Sequence, residues 1–195
     1  MKCNILFCTL CASILLAGCS SASLIQEEAP DQALEKVPVG NSLQVDNAND
    51  RFTLVDNNGT LAADGLYYVS WGIDASIPYE NSDGDTVDLY DASLYLLLGE
   101  AKNPEKAQEH MDNWITAARS NYEILTEEEI TCGGQSYTLI TYNCTNEENP
   151  YDRGVSAFCT NGRSAVCAEL TCQEQFTDDL KHMMADFLNG CTYTD

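Results

Sequence analysis

Beyond residue 50, apolar and polar positions alternate along the chain. Tyr67, Val69, Trp71 and Ile73 stand two residues apart, which predicts a strand with one face in a core. The run 92–98 is apolar at both odd and even positions, as in a central strand covered on both faces. This part of the chain therefore predicts a β-sheet.

Two segments have helical periodicity instead. In the first, Asn103 can cap the N-terminus and Pro104 suits the first turn. Its apolar face consists of Ala107, Met111, Trp114, Ile115 and Ala118. The second helix is predicted to start from a Thr177 cap and to end at Gly190. Its apolar stripe consists of Leu180, Met183, Met184, Phe187 and Leu188.

Two hairpins are predicted from turn residues. Gly133-Gly134 separates the apolar segments 130–132 and 137–142, and Asn161-Gly162 separates 155–159 from 165–170. With a two-residue turn at Asn161-Gly162, Cys159 is expected to face Ser164 and Cys167 to face Ser156. The two cysteines would then lie on opposite faces of the sheet.

Several of these stretches together resemble the PsbP-like (Mog/PsbP-type) fold. They are 130–134 leading into 137–142, the Asn161-Gly162 hairpin, and 176–179 leading to 187–188 and Tyr193. The resemblance spans roughly residues 50 to 195. It implies an α+β domain, an α/β/α sandwich with an antiparallel sheet of about six strands and helices on both faces. It also implies a binding or stabilising subunit, as in a photosystem oxygen-evolving subunit and a nuclear-import factor that binds a small GTPase.

Residues 1–18 have the pattern of a signal peptide. Lys2 provides a positive start, and the apolar run 5–16 is shorter than the about 20 residues that a membrane span requires. The segment Leu16-Ala17-Gly18-Cys19 resembles the lipobox of bacterial lipoproteins. That resemblance implies a diacylglycerol thioether on Cys19, which becomes the first mature residue. An ordinary secretory signal is the alternative, because 20–23 offers other cleavage points.

Residues 19–50 are expected to form a disordered acidic tether that begins at the lipidated Cys19. They contain serines, Pro30, Pro38, Gly40 and many Asp, Glu and Asn residues without a sustained apolar period. The folded domain is expected to occupy residues 51–195. A flexible tether of this length holds a domain on the order of 30 Å from a membrane.

The charge of the chain limits its partners. It contains 31 acidic and 9 basic residues, with a formal net charge of -22. Such a surface repels nucleic acid and anionic lipid head groups, so no nucleic-acid partner is expected. It is compatible with cationic partners.

Six cysteines of the expected domain are candidates for disulfides: Cys132, Cys144, Cys159, Cys167, Cys172 and Cys191. An even number in an exported chain favours disulfides, and no Cys-x-x-Cys pair or Cys-His cluster indicates zinc. Disulfides are therefore expected among the six, although not between Cys159 and Cys167. Along the predicted strands, Cys132, Cys159 and Cys191 fall towards one end of the sheet, Cys144 and Cys172 towards the other, and Cys167 between.

An acidic cluster resembles the start of an EF-hand calcium loop. Asn81, Asp83 and Asp85 alternate, and Asp88 follows. Thr86 then occupies the glycine position, and Ala92 stands where the bidentate glutamate belongs. A polar hairpin tip with an Asp-Gly turn explains the same residues, so this is a weak metal candidate.

No catalytic motif is recognisable in the sequence. His110 and His182 each lie away from the apolar centre of a predicted helix, and Gly162-Arg163-Ser164-Ala165-Val166 lacks the second glycine of a nucleophile elbow. Neither a catalytic residue nor a cofactor is therefore assigned. The sequence favours a membrane-anchored, extracytoplasmic, non-enzymatic module that binds a protein in the cell envelope. An envelope hydrolase or redox enzyme with an unrecognised site is the alternative.

The lipid anchor is testable by mutation. Cys19→Ala removes the acceptor thiol, so we expect the variant to lose its lipid and to remain uncleaved or be released. Metabolic labelling with a fatty-acid analogue measures this. Undiminished label on the variant would contradict the lipoprotein assignment.

Overall fold

The computed structural model describes residues 36–46, 51–60, 65–81, 83–146 and 149–194. The expected signal peptide and the expected lipidation site Cys19 lie outside these residues. In chain order the elements are β1 (Lys36–Val39), β2 (Leu43–Asp46), β3 (Phe52–Thr60), β4 (Leu66–Glu80), β5 (Thr86–Glu100), α1 (Pro104–Asn121), β6 (Tyr122–Cys132), β7 (Gln135–Cys144), β8 (Arg153–Asn161), β9 (Ser164–Cys172), α2 (Leu180–Asn189) and β10 (Cys191–Tyr193).

A seven-stranded antiparallel sheet forms the body of the domain. Its strand order is β3-β4-β5-β9-β8-β7-β6. β9 lies at the centre, and all nine of its residues are buried. The apolar run 92–98 belongs to β5, beside β9, so the prediction of a strand covered on both faces is confirmed.

The two faces of this sheet carry two separate hydrophobic clusters. On the first face, Leu96 and Ala168 pack with α2 and with a small sheet of order β1-β2-β10. On the second face, Leu97 and Cys167 pack under α1. Because side chains alternate along a strand, neighbouring residues of β5 and β9 serve opposite clusters.

The structure confirms the predicted N-terminus of α1. The Asn103 side chain accepts a hydrogen bond from the backbone N–H of Lys106 at 2.9 Å, and Pro104 is the first helical residue. α2 begins later than predicted: Asp179, rather than Thr177, is its N-cap, because the Asp179 carboxylate accepts from the backbone N–H groups of Lys181 and His182. It ends at Gly190 as predicted.

The prediction of a sandwich with one sheet of about six strands between helices is wrong in the number of strands and sheets. The described residues form ten strands in two sheets and only two helices. One face of the large sheet is covered by α1, whereas the other is shared by the ten-residue α2 and the three-stranded sheet. A short helix cannot cover so wide a face, so the additional strands complete the core.

The prediction of a disordered tether is also wrong for residues 36–46. β1 and β2 bury Val37, Val39, Leu43 and Val45, and β2 pairs with both β1 and β10. These strands are four residues long and are separated by a Gly40 turn with φ of 55°, so each contributes only two apolar residues to the pattern. Pro38 is compatible with β1 because this strand is at a sheet edge.

The β8–β9 hairpin turns one residue later than predicted. Asn161 pairs with Ser164, so the turn residues are Gly162 and Arg163, and Cys159 faces Val166 rather than Ser164. Cys167 faces Phe158 rather than Ser156. Moving the turn by one residue changes the partners by two, so the side-chain parity is kept. Cys159 and Cys167 therefore do lie on opposite faces.

Burial predicts how the core responds to truncation. Leu96 is fully buried, so we expect Leu96→Ala to lower the free energy of unfolding by about 2–5 kcal/mol through lost packing and a cavity. Leu125 is 55% exposed, so Leu125→Ala should change it by less than about 0.5 kcal/mol. Urea unfolding of both variants measures the difference. Equal losses would contradict the described position of β5.

Candidate ligand-binding pocket

A cavity of about 520 Å³ opens between α2, the end of β2 and the start of β3. Five lining side chains are apolar: Val45, Phe52, Trp71, Met183 and Phe187. Six more are ionisable: Asp46, Arg51, Asp178, Asp179, His182 and Asp186. An apolar cavity of this size with a few polar groups has the features of a small-ligand or side-chain site.

Three aromatic rings form a continuous wall, which we call the aromatic wall: Phe52, Trp71 and Phe187. The Phe52 and Phe187 rings stack with centroids 6.5 Å apart, and the Trp71 ring meets Phe187 edge-on at 5.4 Å. Trp71 is almost fully buried, whereas Phe52 and Phe187 are half-buried. The wall is thus anchored in the core and presents its outer rings to the cavity.

Arg51 fastens the rim of the pocket. Its guanidinium donates to Asp74 from Nε at 2.7 Å and from Nη2 at 2.5 Å, and Nη1 lies 2.6 Å from Asp178. It also lies 5.9 Å from the centroid of the Phe176 ring. The hydrogen bond from Arg51 lowers the pKa of Asp74 despite partial burial. One arginine thereby connects the start of β3, the bend in β4 and Asp178, the residue before the N-cap of α2.

Asp74 has an unusual backbone conformation. It is the described non-glycine residue with positive φ, at 62°, and it lies where the β4–β5 register shifts between Ile73 and Ser76. Such a conformation is unfavourable for most side chains, although Asp and Asn tolerate it. The bend turns the Asp74 carboxylate towards Arg51.

The lining is predominantly negative. Four aspartates and one arginine face the cavity, with His182 as a further base. Arg51 is paired with Asp178, the Asp46 carboxylate lies 3.6 Å from the Lys36 ammonium, and the exposed Asp186 lies 3.4 Å from the exposed His182. The pocket therefore combines an aromatic wall with an acidic rim. This combination favours a cation that carries an apolar group.

No local sequence pattern predicts this pocket, because residues far apart in the chain form it. Its rim joins Arg51 to Asp178, and its aromatic wall joins Phe52 and Trp71 to Phe187. From the sequence pattern, Trp71 is predicted on the apolar face of a strand and Phe187 in the apolar stripe of a helix. His182 is predicted to lie away from the apolar centre of the same helix. The available signal was the clustering of Asp178 and Asp179, just before α2, with His182 and Asp186 on it. His110 lies elsewhere and stacks on Trp114 at 6.0 Å.

The weak calcium candidate is a hairpin tip in the structure. The Asn81 side-chain oxygen accepts from the backbone N–H groups of Asp83 at 3.0 Å and Asp85 at 2.9 Å, and Gly84 has φ of 83°. That oxygen therefore closes the turn instead of facing an ion. Within the described ranges, no group of three His, Cys, Asp or Glu side chains has the arrangement of a metal site, so Asp83, Asp85 and Asp88 form none.

Within the described part of the chain, none of the disulfides expected among the six cysteines of the domain is formed. Cys132 and Cys159 lie near Cys191 and form a three-thiol cluster, within a hydrophobic core that also contains Cys172. The Cys159 sulfur is 3.0 Å from the Tyr193 hydroxyl, which is 3.1 Å from that of Tyr137. Burial raises the pKa of Cys159 to about 11 and, together with the neighbouring thiols, that of Cys191 to about 12. Protonated thiols are poor nucleophiles.

Strand register restricts which disulfides this domain could form. Cys132 and Cys159 are on strands separated by β7, so about 9–10 Å separates them across the sheet, beyond the about 7 Å limit for Cα atoms. Cys144 and Cys172 belong to opposite hydrophobic clusters. In the three-thiol cluster, any bond must therefore include Cys191. The prediction of disulfides otherwise stays a prediction.

Comparison with known proteins assigns no family. No family model matches the chain, and no curated protein matches it. Among solved structures, the chain is similar to the solution structure of cyanobacterial PsbP (CyanoP) from Synechocystis sp. PCC 6803, at 13% sequence identity and a TM-score of 0.38. The match covers 76% of this chain and 96% of that chain. A TM-score this low does not establish a shared fold, so the PsbP-like assignment stays a prediction.

The Arg51–Asp74 ion pair predicts acid sensitivity. Because the pKa of Asp74 is lowered in the folded protein, its contribution is present above about pH 4 and is lost as the pH falls through the lowered pKa. We expect Asp74→Asn to lose about 1 kcal/mol of the free energy of unfolding at pH 7, and progressively less towards pH 2. Asparagine tolerates the same backbone conformation.

Urea unfolding from pH 7 to pH 2 measures this effect. Asp88→Asn is the matched control, because Asp88 is exposed and forms no ion pair within the described residues. A constant difference between Asp74→Asn and the native chain across this range would contradict the assigned role of the ion pair.

Proposed function

We propose that the protein is a membrane-anchored, extracytoplasmic, non-enzymatic binding module whose pocket receives a basic side chain and an adjoining apolar group from a partner protein. The observation that carries this proposal is the aromatic wall beneath an aspartate rim. Aromatic faces attract cations, and carboxylates favour the same ligand. The anchor on Cys19 and a PsbP-like fold are parts of the same proposal and rest on the sequence motifs.

The pocket chemistry supports binding over hydrolysis. The described lining residues include an acid–base pair, His182 and Asp186, but no serine, threonine or cysteine beside it. A hydrolase that forms a covalent intermediate needs such a nucleophile within hydrogen-bond reach of its base. The buried thiols lie in the two core clusters instead, with raised pKa values for Cys159 and Cys191.

The pocket offers enough surface for a single anchoring side chain. Lysine and arginine have apolar stems below a charged head, which match an apolar interior with an acidic rim. The rim charges of Asp46 and Asp186 are 43% and 66% exposed to solvent, so they favour rapid capture of a basic partner more than very tight binding. Within the described residues, neither helix has the length and apolar character of a membrane span.

Phenethylammonium is a suitable probe, because it carries a positive charge beside an aromatic ring. Calorimetric titration of the full chain in detergent should show binding, with weaker binding of neutral 2-phenylethanol. We expect Asp46→Asn with Asp186→Asn to weaken phenethylammonium binding about fivefold, since each exposed charge contributes about 0.2–1 kcal/mol.

Asp83→Asn with Asp85→Asn is the matched control. It removes the same two charges from the exposed tip of the β4–β5 hairpin, away from the pocket. Equal weakening in both double variants would show a general charge effect and contradict the site. Equal binding of 2-phenylethanol by the native chain would contradict selection for a cation.

A further inference from the structure

A second cavity lies at the opposite end of the small sheet from the pocket. This groove, of about 630 Å³, is formed where the β1–β2 turn, the end of β5 and the β8–β9 turn meet. Ser42 and Ser164 touch through their hydroxyls at 2.8 Å, and the Ala101 backbone N–H donates to the carbonyl of Arg163 at 2.8 Å. Thr194 donates from its backbone to Ser42 at 2.9 Å. Segments distant in sequence therefore hold the groove together.

The basic residues of this acidic chain are almost all paired. Of nine Lys and Arg residues, all except Lys2 are described, which leaves eight. Five of them form ion pairs with carboxylates: Lys36, Arg51, Lys106, Arg119 and Lys181. Arg153 donates to the carbonyl of Phe176.

Lys102 and Arg163 are the remaining two, and both line the groove. Within the described ranges neither forms an ion pair, although the chain contains 31 acidic residues. The carboxylate that also lines the groove, Glu100, accepts from the backbone of Asn41 at 2.7 Å, from its side chain at 2.9 Å and from Ser42 at 3.1 Å. Neither cation is therefore paired with Glu100, whose carboxylate is held by these neutral donors instead.

The two serine hydroxyls of the groove have already used their protons. Ser42 donates its hydroxyl proton to Glu100, so Ser164 donates its own to Ser42. Neither hydroxyl has a donor left for a ligand. Donors to a ligand there are consequently the side chains of Lys102 and Arg163, which donate as cations, together with the neutral side-chain amide of Asn161.

We propose that the groove binds the phosphate or carboxylate group of a small soluble molecule, held by Lys102 and Arg163. The guanidinium can donate two parallel hydrogen bonds to an oxyanion, and the ammonium adds a point charge. The ligand is small because a net charge of -22 repels polyanions and anionic membranes over longer distances, while two cations beside the one carboxylate of Glu100 leave the groove locally positive. This site is independent of the aromatic pocket.

Inorganic phosphate is the probe for this site. We expect calorimetric titration of the full chain at low ionic strength to show saturable binding that weakens with added salt. Lys102→Ala with Arg163→Ala should weaken it about tenfold, which corresponds to about 1.4 kcal/mol. Lys106→Ala with Arg119→Ala is the control. It removes one lysine and one arginine of α1, each of which already forms an ion pair with a glutamate. The control should bind phosphate as the native chain does.

Three results would overturn the proposal. The first is no saturable heat with the native chain, and the second is equal weakening in the two double variants, with unchanged circular dichroism. The third comes from flotation with vesicles of phosphatidylcholine, with and without phosphatidylglycerol. Flotation that requires phosphatidylglycerol, Lys102 and Arg163, without binding of inorganic phosphate, would assign the cations to lipid head groups instead.

Discussion

The two-sided burial of β9 is the constraint on which the rest of the fold depends. Every residue of this strand is buried, so both faces of the central sheet require cover. On one face α1 supplies it with an apolar stripe that includes Trp114. On the other, the ten-residue α2 is too short, and the small sheet of β1, β2 and β10 completes the layer. The N-terminal strands are thus part of the core and not an appendage.

This composite layer explains where the two cavities lie. β2 and β10 pair in the small sheet, and the layer ends at both of their termini. At the end marked by Asp46 and Gly190 it meets α2, which leaves the aromatic pocket. At the end marked by Ser42 and Thr194 it meets the ends of strands β5 and β9 of the large sheet, which leaves the groove. Both sites are consequences of covering a wide face with two unequal pieces.

Local sequence determined much of the fold and little of the pocket. The Asn103 cap, the central strand 92–98 and the Gly133-Gly134 hairpin were predictable because each depends on neighbouring residues. β1 and β2 were missed because two apolar residues per strand give no measurable period beside Pro38 and Gly40. The pocket required Arg51 to meet Asp178, a contact between distant segments that no local pattern encodes. The calcium interpretation failed because the Asn81 oxygen satisfies the backbone of its own turn.

Charge divides the surface into two kinds of region. Since carboxylates greatly outnumber cations, an exposed cation has a nearby carboxylate unless the fold separates them, and most described cations do pair. At the pocket, Arg51 is occupied by Asp74 and Asp178, so the aspartate rim keeps its negative character. At the groove, hydrogen bonds from Asn41 and Ser42 occupy Glu100 and leave Lys102 and Arg163 available. The proposed cation site therefore lies where the arginine is paired with aspartates, and the proposed anion site lies where the carboxylate is held by neutral donors and two cations stay unpaired.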